Sequence, residues 1–66
     1  MTGTVVVFDE RRGLGQIESD GERYPFHCTA IADGSRMIAV GTAVEFVVAP
    51  GPSGRWEAAQ VERASA

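Results

Sequence analysis

The chain has 66 residues, with one cysteine, one histidine and no lysine, and its six arginines face nine acidic side chains for a net charge of -3. That length leaves room for one small domain, which buries only about 60% of the surface its unfolded chain exposes. A lone cysteine excludes an internal disulfide, and one histidine beside it falls short of the four ligands of a structural zinc site. The acidic balance excludes a surface that holds polyanions through bulk positive charge, though a local basic patch stays open.

The N-terminus runs from Met1-Thr2-Gly3 straight into strand-like sequence, so no leader peptide is expected. No apolar run approaches the roughly 20 residues needed to cross a bilayer. With a free thiol, these features predict a cytoplasmic protein. The β-branched run Thr4-Val5-Val6-Val7-Phe8 predicts a first strand, closed by the polar cluster Asp9-Glu10-Arg11-Arg12-Gly13. Leu14–Ser19 is the second strand, Asp20-Gly21 a hairpin turn and Arg23–Cys28 the third strand. Residues 29–41 read as a long connection with one helical turn.

The fourth strand is predicted over Thr42–Ala49, with Val44, Phe46 and Val48 on one face. Pro50-Gly51-Pro52-Ser53-Gly54 is a loop, Trp56–Val61 the fifth strand, and 63–66 a short tail. Five short strands without a long helix predict an all-β domain, a small barrel or sandwich.

Several pieces of this chain, in order, match one pattern: Gly3-Thr4-Val5, then Phe8, then Gly13-Leu14-Gly15 with Ile17, the turn Asp20-Gly21, and Phe26-His27-Cys28-Thr29-Ala30-Ile31. Gly41, Val44, Phe46 and Glu57-Ala58-Ala59-Gln60-Val61 complete it. The whole resembles a bacterial cold-shock domain. The resemblance implies a five-stranded antiparallel Greek-key barrel, the OB fold of cold-shock type, as a single domain over 1–62. It also implies binding of single-stranded DNA or RNA, with bases laid on exposed aromatic rings of the first three strands.

Here those ring positions are refilled. Val7 stands where the family usually has tryptophan; Leu14, Gln16, Pro25 and Cys28 stand where it has phenylalanine. His27 alone remains of that set. The loop region Ser35-Arg36-Met37 carries no ring either. Since alternate strand residues share a face, an outward His27 sends Tyr24 and Phe26 into the core.

The nucleic-acid-binding candidates are therefore Val7, Arg11, Arg12, Leu14, Gln16, Pro25, His27 and Cys28. Arg11, Arg12 and Arg23 would lie near phosphates; for Arg11 and Arg12 the competing reading is neutralisation of Asp9 and Glu10. Gly13 and Gly15 are read as relief of crowding in a tightly coiled strand. Pro25 implies an edge or a bulge, because it has no ladder donor. Trp56 is either a displaced stacking ring or a cap on the open end of the barrel, and the cap is preferred.

The expected function is weak single-strand binding. Base–aromatic stacking contributes about 1–3 kcal/mol per base, so several lost rings cost affinity steeply. The alternative is a protein-interaction or self-association module that uses the same face. No nucleophile–base pair, metal cluster or nucleotide loop is present, so no enzyme activity, metal or cofactor is expected.

Overall fold

The computed structural model describes residues 1–51 and 54–64; of the sequence features above, Pro52, Ser53, Ser65 and Ala66 lie outside them. The strands are β1 Thr2–Asp9, β2 Leu14–Ser19, β3 Glu22–His27, β4 Ala43–Pro50 and β5 Trp56–Arg63. A 3-10 turn, Cys28–Ala30, follows β3. The strands form one sheet in the order β3-β2-β1-β4-β5, every neighbouring pair antiparallel.

All five predicted strands are present, with ends that moved for identifiable reasons. β1 begins at Thr2, because Thr2–Thr4 pair with β4 while Thr4–Asp9 pair with β2. β3 stops at His27 rather than Cys28, since the His27 side chain accepts the N–H of Thr29 and opens the 3-10 turn. β5 continues to Arg63, one residue into the segment read as a tail.

Two irregularities bend the sheet. Val5 pairs with Ile17 and Val7 with Gln16, which makes Val6 an extra residue on β1. On β5 the step from Ala59 to Glu62 opposes the shorter step from Val47 to Glu45, and Gln60 has φ +50°. Such bulges increase the local twist of a strand pair.

The core is Val5, Ile17, Phe26, Ile31, Ile38, Val44, Phe46, Ala58 and Val61, with Phe8, Tyr24, Ala30 and Val48 packed against it. Tyr24, Phe26 and Phe46 are thus inward, as alternation predicts. Tyr24 tilts on Phe46 at a centroid distance of 5.6 Å, and Phe8 stacks on Phe26 at 6.0 Å. Gly15 makes the second arrangement possible: a Cβ there would lie 2.5 Å from Cζ of Phe26 and 2.8 Å from the Val7 carbonyl oxygen.

β3 and β5 are the edges of the sheet. Pro25 fits the edge. The amide of Cys28 donates to the Gly13 carbonyl, and amides alternate in direction along an antiparallel strand, so the Pro25 nitrogen faces away from β2. The connection after the 3-10 turn is held to β5. Ile31 bridges Val61, and the Ala32 amide donates to the Val61 carbonyl. The guanidinium of Arg63 donates to Asp33 and, at 2.8 Å, to the Met37 carbonyl. That clamp seats Ile38 in the core.

Two tests follow from this packing. Gly15→Ala should lower stability by about 1–3 kcal/mol, the usual cost of overfilling a packed site, measured by urea unfolding with unchanged dispersion of the amide spectrum. The Asp33 carboxyl is held below its ordinary value by the Ser35 backbone N–H, then the Ser35 hydroxyl and Arg63. A depressed folded-state value adds stability above the unfolded value of about 3.9 and loses it as pH falls through the folded value. Asp33→Asn should therefore flatten the acid limb of a Tm-against-pH curve.

Candidate nucleic-acid interface

The strand registers assemble the candidates. Val7 pairs with Gln16 and Gln16 with Pro25, giving one row across β1, β2 and β3. Asp9 pairs with Leu14 and Leu14 with His27, giving the next row. Glu18 and Arg23 continue the same face on β2 and β3. The inward residues between these rows are Phe8, Gly15 and Phe26, themselves in register.

The face is wet and shallow. Val7 and Leu14 are 41% and 46% exposed, His27 is exposed, and Gln16 and Pro25 are half-buried. Two grooves cross it. One runs among Val7, Asp9, Arg12, Leu14 and Gln16, and the other among Leu14, Gln16, Pro25, His27 and Glu57.

His27 is oriented by its own turn. Its Nδ1 accepts the Thr29 backbone N–H at 3.3 Å and lies 3.0 Å from Thr29 Oγ1. A neutral imidazole that accepts at Nδ1 carries its proton on Nε2, which is left to donate elsewhere. Cys28 stands apart from the rows. It begins the 3-10 turn half-buried, and its Sγ occupies the space a side chain at Gly13 would need, 2.7 Å from where a Cβ would sit. Gly13 adopts φ +68° there, a left-handed conformation that glycine takes without steric cost.

The arginines divide. Asp9 Oδ1 accepts the backbone N–H groups of Arg11 at 3.0 Å and Arg12 at 3.3 Å, which shapes the β1–β2 loop. The Arg12 guanidinium lies 3.9 Å from Asp9 and borders the face. Arg11 lines neither groove. Arg23 lies across the face, 3.9 Å from Glu18 and 3.4 Å from Gln16 Oε1. Exposed pairs of this kind contribute about 0–1 kcal/mol, so both cations can exchange their carboxylates for phosphates at small cost.

Trp56 corrects an expectation. It does not cap the core: it is 62% exposed and lines a groove with Arg23, Tyr24, Pro25 and Arg55 at the β3 edge. Alternation puts Trp56 on the same side as buried Ala58, but β5 begins beyond the limit of the core. Its place after a Pro/Gly loop, next to Arg55, was the available signal of an exposed ring.

A family model described as the 'Cold-shock' DNA-binding domain matches residues 1–64. The chain belongs to that family. It is also similar to "Cold shock-like protein CspA" of Stigmatella aurantiaca (strain DW4/3-1), with 39% identity over 56 residues, covering 80% of this chain and 82% of the relative. Within a cold-shock domain, the two rows on β1, β2 and β3 are the positions at which this chain carries aliphatic and polar side chains.

The orientation of His27 is directly checkable. Ring nitrogen NMR should find the neutral histidine as the Nε2–H tautomer; a dominant Nδ1–H form would show that the Thr29 contact does not hold the ring.

Proposed function

We propose that this protein binds single-stranded nucleic acid, DNA or RNA, weakly, on the outward face of β1, β2 and β3. The observation that carries the reading is the register, which sets Val7, Gln16 and Pro25 beside Leu14 and His27 in two adjacent rows. A strand crossing these rows meets apolar contact at Val7, Leu14 and Pro25, a donor at His27 Nε2, and arginine at both ends.

The weakness has a physical cause. Each base that lies on an aliphatic group instead of a ring loses about 1–3 kcal/mol of stacking. Four such positions amount to about a thousandfold in affinity at the low end of that range. The net charge of -3 supplies no general compensation.

The proposal includes closure of the sheet into a Greek-key barrel, supported by the grooves that residues of both edges, β3 and β5, line together. It includes a binding role without catalysis: the ring nitrogen nearest the Cys28 thiol, His27 Nδ1 at 3.8 Å, already accepts the Thr29 N–H and is not free to act as a base toward it. A cytoplasmic location rests on the free thiol of Cys28. Exposed Val7 and Leu14 favour a second reading, a protein partner or self-association on the same face.

Amide NMR with a short pyrimidine-rich strand at low salt tests the proposal. Residues 12–17 and 24–28 should shift, and the shifts should weaken as salt rises. The variant carrying Val7→Trp, Leu14→Phe, Gln16→Phe and Pro25→Phe should bind about a thousandfold more tightly. Silence of the wild type at high micromolar strand would favour the partner reading; no gain in the four-ring variant would show that the face is misplaced.

A further inference from the structure

We infer that Trp56 and Arg55 form a second, chain-specific stacking subsite, which takes one unpaired nucleobase and its adjoining phosphate in the groove between β3 and β5. The inference deepens the proposed function and rests on it. Its first observation is the ring itself: the only tryptophan of the chain is 62% exposed, at the first position of β5. An indole left in water on a domain with so little core has apolar surface that a base would cover, and every base has a face to offer it.

The second observation is the company this ring keeps. Its groove is walled by Tyr24 and Pro25 of β3, and it holds Arg23 and Arg55 against Glu22. Arg23 already pairs with Glu18, which lies outside the groove, so the cation open to a phosphate there is Arg55. Arg55 forms no ion pair among the described residues, so its charge is not already spent on a carboxylate. Flat apolar surface beside a free guanidinium matches the two parts of a nucleotide, base and phosphate.

The third observation is continuity. Gln16 and Pro25 line this groove and also the groove that contains Leu14 and His27. A strand lying on the β1–β2–β3 face passes over Pro25 directly into the Trp56 groove. Glu57 borders the adjoining groove and repels phosphate there, which leaves the Arg23 and Arg55 side for the backbone. The subsite returns one ring to a binding surface that has none at residues 7, 14, 16 and 25.

Because Trp56 is the sole tryptophan, its fluorescence reports this groove alone. Titrating the wild type with a short oligothymidine at low salt should quench it saturably, with the midpoint of the amide shifts at residues 14–16 and 25–27. An oligomer of the same length with abasic sites offers the phosphates without the bases and should leave the fluorescence unchanged. Trp56→Ala should weaken binding about 5- to 100-fold, and Trp56→Phe should keep most of the affinity. Arg55→Ala should lower the slope of log affinity against log salt by about one.

Amide shifts on the β1–β2–β3 face with unchanged fluorescence would overturn the subsite and leave the proposed function standing. Equal quenching by the abasic oligomer would overturn stacking. A blue shift that grows with protein concentration in the absence of strand would place a second copy of the chain on Trp56 and overturn the subsite. No response anywhere would overturn both readings.

Discussion

The arrangement depends on one close approach, the ring of Phe26 against the backbone of β2 at Gly15. Any side chain at residue 15 would collide with that ring and with the β1 carbonyl at Val7. With the space empty, Phe26 packs inward and stacks on Phe8, and the parity of three strands follows. Once Phe8, Gly15 and Phe26 are in register inside, their neighbours Val7, Gln16, Pro25, Leu14 and His27 have only the outside to occupy. A shift of one residue would exchange the two sets. The core contact and the outward face are the two sides of one register.

The chemistry of that face separates geometry from affinity. The frame aims side chains at a common outward surface, but an aliphatic group cannot replace the polarisable plane of a ring. What remains is short-range apolar contact and arginines held by weak, exposed carboxylate pairs. Loosely paired cations of this kind suit a protein that makes few, salt-sensitive contacts with a polyanion.

Most of the fold was legible in the residues. β-branched runs, alternation and Asp-Gly or Pro/Gly punctuation located all five strands, and alternation alone placed Tyr24, Phe26 and Phe46 inside. The bulges at Val6 and Gln60 were not legible, because an extra residue appears only when two strands are aligned. Nor was the clamp of Arg63 on Asp33 and Met37, which joins residues far apart in the chain. The two outward rows were legible as a face, since the cold-shock resemblance and strand period agreed on which residues point outward. Trp56 was misjudged for a physical reason: alternation states which side a residue is on, but not whether the core still extends beneath it.

The substitution at residue 25 has a consequence away from ligand binding. On the side of β3 away from β2 the backbone nitrogens belong to Arg23, Pro25 and His27, and the middle one has no hydrogen. A second chain aligning there would find a gap in the centre of the ladder, with a charged arginine on one side and an imidazole on the other. Edge strands closed in this way resist sheet-to-sheet growth. The residue that removes a ring from the face thus also interrupts the row of backbone donors along the border of the sheet.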